Sequence, residues 1–263
     1  MTPDDAELDA LLAHGPVAPE RSFRYGDHPS QVVDLYGTAY EGTGAPVIAL
    51  LHGGFWRERY DRTHLSPLAA ALAADLGRCV ALVEYRRVGG GGGFPATFDD
   101  LPPALAALPG ARPVTLVGHS AGGHLALWAA ARCPAAVASV VAVSPVADLA
   151  LAHELALSDD AVGELLGGAD LVAQRLDETD PMRMPPPPAP VTLLHGALDT
   201  TVPAELSRRY AQHATGELRE LPGTGHYAPV TPGTGAYGVL AGAAAGGEAP
   251  RTGEHTGDRS YQG

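Results

Sequence analysis

VTLVGHSAGGHLALW, residues 114–128, joins an apolar strand, a glycine-flanked serine and an apolar helix. Ser120 stands between Gly118 and Gly122, which is the pattern G-x-S-x-G in a strand-turn-helix context. Small residues on both sides of the serine let the strand and the helix pass closely, so that its hydroxyl projects at the carboxyl edge of a sheet. The first amides of the helix then face the group that the serine attacks. The stretch predicts a nucleophilic serine.

Short apolar runs alternate with helical patterns along the rest of the chain. The runs lie at 32–36, 47–51, 79–85, 114–118, 138–144, 191–195 and 217–221, and the helical patterns at about 63–77, 97–108, 121–132 and 203–214. This alternation predicts an α/β fold with a mostly parallel central sheet and helices on both faces. Uninterrupted apolar runs such as 47–51 fit the buried centre of that sheet.

Two segments break the alternation. Residues 149–190 are acidic and helical in pattern and end in a run of prolines, which predicts a small inserted cap or lid. Residues 233–263 are rich in Gly, Ala and Thr and predict a weak helix at about 236–245 followed by a disordered tail. A chain of 263 residues fits one large domain or two small ones. We therefore expect a single α/β domain over 1–232 that contains the cap.

A serine hydroxyl needs a histidine base, and the histidine needs an orienting carboxylate. Asp199 follows the strand at 191–195, and His226 follows the strand at 217–221. Both residues therefore lie at carboxyl ends of strands, where parallel sheets place their sites. One helix and one strand separate the two residues. These positions predict a catalytic set with Ser120 as nucleophile, Asp199 as acid and His226 as base.

Asp148 is the alternative carboxylate, because it follows the strand at 138–144 and the acid can also come from that earlier loop. Asp199 is favoured, and Asp148 is more typical of a helix cap or a pocket wall. His119, inside the serine turn, and His195, at the end of a buried strand, are more typical of structural histidines.

A glycine pair follows the strand at 47–51 in the sequence His52-Gly53-Gly54-Phe55-Trp56. Glycines after a central strand let backbone N–H groups turn toward the nucleophile without interference from Cβ atoms. The candidates for an oxyanion hole are the amides of Gly54, Phe55 and Ala121. The candidates for the wall of the substrate pocket are His52, Trp56, His119 and Asp148.

The charge balance excludes several classes of partner. The 17 basic residues, all of them Arg, stand against 30 acidic residues, and the net charge is −13. This balance argues against nucleic acid and anionic membrane surfaces as partners. It also disfavours a strongly anionic substrate, unless Arg57 or a neighbouring arginine reaches the pocket. The histidines and cysteines show no H-x-x-x-H or C-x-x-C spacing, so no metal site and no cofactor are expected.

The chain also shows no targeting or membrane-spanning pattern. Its beginning lacks a basic segment followed by an apolar one, and no apolar run approaches ~18 residues. Cys79 and Cys133 are interpreted as reduced thiols. We expect a soluble, cytoplasmic protein that binds a small molecule, and the sequence leaves a homodimer open.

Four motifs resemble the α/β-hydrolase superfamily: HGGFW (52–56), GHSAGGHLALWAA (118–130), HGALDTTVP (195–203) and GTGHY (223–227). Two further stretches, 25–38 and 84–100, are similar to the esterase/arylformamidase branch, which includes kynurenine formamidase-like and BD-FAE-like enzymes. The resemblance covers about residues 20–230. It implies the α/β-hydrolase fold and cofactor-free hydrolysis of a small carboxylic ester or N-formyl arylamide through an acyl-enzyme.

The chain departs from this branch after His226. Relatives usually continue with an Asp-Pro turn and a firm closing helix, whereas Thr231 stands here where an acidic residue is common. The Gly-rich sequence that follows predicts weak support for the loop that carries His226. Two other functions stay open: an amidase or peptidase on the same fold, and a binding protein with a decayed site.

Overall fold

A mostly parallel sheet lies at the centre of the computed structural model, which describes residues 2–41, 46–110, 113–214 and 216–246. Its strands are β1 (Arg21–Arg24), β2 (Val32–Tyr36), β3 (Ile48–Leu51), β4 (Val80–Val83), β5 (Val114–His119), β6 (Val137–Val143), β7 (Val191–Gly196) and β8 (Glu217–Leu221). Their spatial order is β1-β2-β4-β3-β5-β6-β7-β8. β1 and β2 pair antiparallel, and β3 to β8 are parallel. The predicted fold class is confirmed.

Helices cover both faces of the sheet. They are α1 (Pro3–Ala13), α2 (Ser66–Leu76), α3 (Ala96–Asp99), α4 (Leu101–Ala107), α5 (Ala121–Arg132), α6 (Leu149–Glu154), α7 (Leu157–Leu165), α8 (Val172–Thr179), α9 (Glu205–Ala214) and α10 (Gly235–Ala244). Side chains of α2 and α10 pack on one face, and those of α4, α5 and α9 on the other. None of the described helices has the length and apolar character needed to cross a bilayer.

The strands β2 to β7 coincide with the apolar runs of the sequence, because they bury most of their side chains in the core, and β8 coincides with the run at 217–221. Only β8 is weakly apolar, and it lies at an edge of the sheet. The sequence did not predict β1. Its residues, Arg-Ser-Phe-Arg, are mostly exposed at the opposite edge and leave no apolar pattern.

The segment 149–190 contains α6, α7 and α8. Its apolar residues Leu149, Val162 and Leu176 join the core on the side of α5. The start of α7 is unusual, since residues 158–160 have positive φ angles. The role of this segment as a cap and the domain limits remain predictions. The predicted tail falls largely on residues 247–263, which lie outside the described residues.

Both cysteines are free thiols. Burial raises the pKa of the Cys79 thiol to about 11 and raises the pKa of Cys133 as well. Neither residue lines the cavity described below. Cys79 packs in the core, whereas Cys133 is half-buried at the end of α5.

Candidate active site

Ser120 occupies a strained turn between β5 and α5. Its backbone angles are φ 56° and ψ −118°, a region that non-glycine residues rarely adopt. A Cβ atom on Gly118 would overlap the carbonyl of Gly122, and one on Gly122 would overlap the carbonyl of Leu51. The glycines are therefore required by the close passage of strand and helix, as the sequence pattern predicts.

Hydrogen bonds from three directions hold this turn. The amide of Ser120 donates to the carbonyl of Val143 at 2.8 Å. The carbonyl of Ser120 accepts from the amide of Val146 at 3.3 Å and from that of His124 at 3.1 Å. The surrounding structure thus stabilises the strained conformation and fixes the position of the serine.

Ser120 and His226 both line a cavity of about 440 Å³. Its wall is formed by side chains from α1, from the loop after β3, from the serine turn, from α7 and from the loops after β7 and β8. The lining residues are Leu8, Leu12, Gly54, Phe55, Arg59, Tyr60, Asp61, His64, His119, Ser120, Ser158, Thr201, His226 and Tyr227. The volume suits a small organic molecule.

His226 is paired with Asp199 behind the cavity wall. Its Nδ1 lies 2.7 Å from Oδ2 of Asp199, and both side chains are buried. This contact places the Nδ1 proton toward the carboxylate and leaves Nε2 as the basic atom. The structure therefore brings together the three residues that the sequence predicts as a catalytic set: Ser120 and His226 at one cavity, and Asp199 on His226.

Asp199 is held as an anion by its surroundings. Its Oδ1 accepts from the amides of Thr201 at 2.9 Å and Val202 at 2.8 Å, and its Oδ2 lies 3.3 Å from Nε2 of His195. Burial alone would raise the pKa of Asp199. The hydrogen bonds from His195 and His226 outweigh burial and hold the pKa well below its ordinary value.

The amides predicted as an oxyanion hole lie at the same place. Gly54 and Phe55 line the cavity with positive φ angles of 109° and 49°, and Ala121 is the first residue of α5. In the described part of the chain, no acceptor engages the amides of Gly54, Phe55 or Ala121. A Cβ atom on Gly53 would lie 3.0 Å from Cβ of Ser120, so this loop packs directly on the serine.

His119 connects the serine turn to the loop of His226. Its Nε2 donates to the carbonyl of His226 at 3.1 Å, and its ring packs against the ring of His226. Burial, followed by the nearby His226, lowers the pKa of His119 well below its ordinary value, so the ring is neutral. The sequence pattern indicates a structural histidine and also a candidate pocket residue. His119 fits both descriptions, because it bonds to the loop of His226 and also lines the cavity.

Two other pocket candidates lie outside the cavity lining. His52 is stacked on Tyr85 at 4.5 Å between ring centroids, and its Nε2 lies 2.8 Å from Oε1 of Glu84. Trp56 is fully buried and meets His124 edge-on at 5.2 Å. Their pocket assignment needs correction, because His52 packs on Glu84 and Tyr85 and Trp56 packs on His124, inside the core.

Asp148 also lies away from the cavity. Its Oδ1 accepts from the amide of Leu151 at 2.8 Å and caps α6, and its Oδ2 lies 3.1 Å from Nη1 of Arg209. The capping role anticipated as one alternative is therefore present. The carboxylate on His226 is Asp199, and Asp148 lines no part of the pocket.

Of the three arginines after the glycine loop, only Arg59 lines the cavity. Arg57 is turned toward α7 and contacts Ser158 and Glu164. Arg62 is paired with Asp34. A negative group in the cavity would therefore meet Arg59, whose guanidinium lies over the ring of Tyr60.

The sequence reasoning missed the contribution of α1. Asp4 and Glu7 contact the loop of His226, and Leu8 and Leu12 line the cavity. A signal for the helix itself was present: Thr2 and Asp5 form a capping box at its beginning. Nothing in the local pattern indicates that this helix reaches a site more than 200 residues away in the sequence.

No group of three or more His, Cys, Asp or Glu side chains suited to a metal ion occurs within the described ranges. The polar groups at the cavity are instead the Ser120 hydroxyl, the His226 imidazole and backbone amides without an acceptor among the described residues. This set is suited to attack on a carbonyl carbon and to stabilisation of the resulting oxyanion.

Comparison with known proteins places this geometry in a family. Residues 33–213 match the BD-FAE family. Solved structures with similar folds include esterase B from Lactobacillus rhamnosis, with 20% identity, a TM-score of 0.65, and coverage of 87% of this chain and 84% of that one. The esterase from Pyrobaculum calidifontis has 19% identity, a TM-score of 0.65, and coverage of 92% and 90%. Carboxyl esterase 2 from Tuber melanosporum has 16% identity, a TM-score of 0.68, and coverage of 93% and 97%.

At these identities the solved structures establish the fold, which is the α/β-hydrolase fold. The family match covers more than two thirds of the chain and includes Ser120, Asp199 and the glycine loop at 53–54. The chain therefore belongs to the BD-FAE family and is an esterase-type α/β-hydrolase.

Proposed function

We propose that this protein is a serine hydrolase that cleaves a small carboxylic ester or an N-formyl arylamide through an acyl-enzyme. The observation that supports this proposal is the shared cavity. Ser120 and His226 both face it, Asp199 orients His226 from behind, and free amides stand beside the serine. The proposal assigns each of these groups one step of the reaction.

In the first half of the reaction, the Ser120 hydroxyl attacks the carbonyl carbon of the substrate. Nε2 of His226 takes the hydroxyl proton, and Asp199 stabilises the imidazolium that forms. The carbonyl π electrons move to its oxygen, and the amides of Gly54, Phe55 and Ala121 stabilise the oxyanion. Collapse of this intermediate expels the alcohol or amine, which receives the proton from His226.

In the second half, water enters the position of the leaving group. His226 takes a proton from the water as the water oxygen attacks the acyl carbon, and the same oxyanion site is used again. Collapse breaks the bond to Ser120, whose oxygen recovers the proton from His226. The products are the carboxylic acid and the free enzyme, and no redox partner is needed.

The lining of the cavity supports a substrate with a flat or apolar group. Phe55, Tyr60 and Tyr227 contribute aromatic surface, and Leu8 and Leu12 contribute aliphatic surface. Aromatic side chains favour offset or edge-on contact with an aromatic ring. An aryl ester and an N-formyl arylamide both present such a ring beside a small acyl group.

Labelling with a fluorophosphonate probe tests the nucleophile, combined with hydrolysis of p-nitrophenyl acetate. We expect labelling at Ser120 and loss of both labelling and turnover in Ser120→Ala. Ser139→Ala is the matched control, since Ser139 lies on β6 away from the cavity. A folded wild-type protein that is not labelled would favour the binding-protein alternative.

A comparison of kcat/KM tests the substrate class. The substrates are N-formylkynurenine, an acetyl ester, a feruloyl ester and a small peptide amide. A preference above about 100-fold corresponds to roughly 2.7 kcal/mol of differential transition-state binding. Preference for the peptide amide would replace the ester and formamide proposal with the amidase alternative.

A further inference from the structure

The helix α1 joins the loops of the acid and the base although it lies at the other end of the sequence. Its residue Asp4 is buried, with 4% of its surface exposed. Oδ1 of Asp4 accepts from the amide of His226 at 2.8 Å, and Oδ2 accepts from the amide of Thr200 at 2.9 Å. One carboxylate therefore connects the residue that follows Asp199 with the base itself.

The hydroxyls of two threonines complete the surroundings of Asp4. Oγ1 of Thr200 donates to Oδ2 at 2.7 Å, and Oγ1 of Thr201 donates to the same oxygen at 2.8 Å. Four donors thus meet one buried carboxylate. Hydrogen bonds to a charged acceptor are among the strongest in proteins, so this arrangement restricts both loops.

Glu7, one turn later on α1, holds the other amides of the base loop. Oε1 accepts from Gly225 at 2.7 Å, and Oε2 accepts from Tyr227 at 2.9 Å and from Ala228 at 2.8 Å. Together, Asp4 and Glu7 engage four consecutive amides, from Gly225 to Ala228. The sequence predicts weak support for this loop after Thr231, and in the structure α1 holds its four amides while His119 and Thr234 bond to its carbonyls.

The close fit of Gly225 shows that the contact is specific. A Cβ atom at this position would overlap Oδ1 of Asp4 and lie 2.9 Å from Oε2 of Glu7. With the two carboxylates in their present positions, residue 225 fits as glycine, and a larger residue would displace the ends of the Asp4 and Glu7 side chains. Simple packing of a helix on a loop does not require such a residue.

The same face of α1 reaches the cavity. Asp4, Leu8 and Leu12 are spaced four residues apart, so they form one stripe along the helix. Leu8 and Leu12 line the cavity beside Ser120. One stripe thus touches the catalytic loops at its beginning and the space for substrate at its end.

We infer that α1 completes the active site: Asp4 and Glu7 are positioning residues for His226 and Asp199, and Leu8 and Leu12 form a specificity wall for the apolar part of the substrate. This inference rests on the proposed function. It assigns functional roles to a helix outside the matched residues 33–213.

The first test replaces Asp4 by Asn in the full-length protein and measures hydrolysis of p-nitrophenyl acetate. The amide keeps the shape but turns one acceptor into a donor that faces backbone N–H groups. Since a displacement of about 1 Å at a reacting group can cost 10²-fold, we expect kcat to fall about 10- to 100-fold with KM changed less than about threefold. Labelling of Ser120 by the fluorophosphonate probe should slow in proportion.

Asp9→Asn is the matched control, because it removes an exposed carboxylate from the same helix. Thermal unfolding of both variants separates positioning from loss of fold. If Asp4→Asn does not fold, Glu7→Gln provides the same test with the same expected split between kcat and KM. A kcat within about twofold of the Asp9→Asn value, in a folded variant, would overturn the positioning role.

The second test replaces Leu8 by Ala and compares p-nitrophenyl hexanoate with p-nitrophenyl acetate. Because one methylene group in an apolar pocket is worth about 10-fold or more in discrimination, we expect the ratio of kcat/KM values to change at least about fivefold. An unchanged ratio would overturn the wall role. Ser120→Ala distinguishes failure of the proposed function from failure of the role of α1. If turnover does not depend on Ser120, the proposed function fails. If turnover depends on Ser120 but is unchanged by the substitutions at Asp4 and Leu8, only the role of α1 fails.

Discussion

His226 directs its Nδ1 at Asp199, and the two groups are 2.7 Å apart in a buried setting. The opposite side of the same carboxylate accepts two backbone amides, from Thr201 and Val202. The backbone of its own loop therefore holds the Asp199 carboxylate in place, and the carboxylate in turn orients the ring of His226. A fixed anion on Nδ1 holds the imidazole in the tautomer that can accept a proton at Nε2.

Replacing Asp199 by Asn should abolish most turnover while the fold is retained. The amide can donate to Nδ1, which stabilises the wrong tautomer and leaves no base at Nε2. By analogy with the serine protease triad, kcat should fall by about 10⁴-fold near neutral pH. Steady-state kinetics with p-nitrophenyl acetate measure the effect.

Asp148→Asn is the control, since Asp148 was the alternative acid but caps α6 and pairs with Arg209. Its kcat should stay within about threefold of wild type. The assignment of the acid would be reversed if Asp148→Asn lost turnover and Asp199→Asn kept it.

Arg57 ties the start of α7 to the loop that carries Gly54 and Phe55. Its guanidinium donates to Oε2 of Glu164 at 2.6 Å, to Oγ of Ser158 at 2.9 Å and to the carbonyl of Ser158 at 2.6 Å. Because Ser158 lines the cavity, Arg57→Met should loosen one wall and raise KM about five- to tenfold, with a smaller change in kcat. Limited proteolysis should become faster within residues 155–168.

Arg183→Met is the matched control, because Arg183 forms an exposed pair with Asp177. The interpretation of Arg57 as a tether would be wrong if KM and the rate of proteolysis were the same in both variants. A large loss of kcat with normal KM would instead indicate displacement of the oxyanion amides.

The protein should lose stability in acid, because the stabilising contribution of ionised Glu84 is lost there. Burial raises its pKa, but the ring of His52 and the guanidinium of Arg87 outweigh burial and lower the pKa to about 2 from an ordinary 4.5. Between these values the unfolded chain binds the proton and the folded chain does not, so stability rises with pH in this window. The contribution of Glu84 is present above about pH 4.5 and is lost as the pH falls toward 2.

Urea unfolding as a function of pH tests this prediction. In Glu84→Gln, the free energy of unfolding should change less steeply between pH 4.5 and 2 than in wild type. Glu154→Gln, at an exposed position on α6, should keep the wild-type slope. Equal slopes for all three proteins would show that Glu84 does not contribute to the acid sensitivity.

Two glycine-to-alanine changes should have opposite effects on stability. At Gly122 a Cβ atom would overlap the carbonyl oxygens of Leu51 and His52, so Gly122→Ala should destabilise by about 3 kcal/mol or more, the upper range for single substitutions. At Gly242, on α10, no atom lies within 4 Å of an added Cβ atom. Gly242→Ala should stabilise by about 0.5–1 kcal/mol through helix propensity. Thermal unfolding measures both, and destabilisation by Gly242→Ala would contradict the geometry of α10.

The sequence is sufficient to predict most of the sheet because buried parallel strands require uninterrupted apolar runs, as at 47–51 and 114–118. The prediction from sequence fails at β1, because this edge strand is mostly exposed and its two arginines leave no apolar run. It also places His52 and Trp56 in the pocket, since the glycine pair indicates a turn but not the direction that the rings on either side of it take. That direction depends on Glu84, Tyr85 and His124, which are distant in the chain.

The sequence by itself predicts the serine turn and the glycines around it, because steric exclusion demands small residues there, and it predicts Asp199 and His226 as partners of Ser120 because both follow strands of the parallel sheet. Only the tertiary structure decides which groups hold that set in place. Asp4 and Glu7 reach the loop of His226 across more than 200 residues of sequence, through contacts that exist only after the chain has folded. A carboxylate on an exposed-looking helix carries no local sign of such a partner, since hydrogen bonds between distant segments depend on their approach in space.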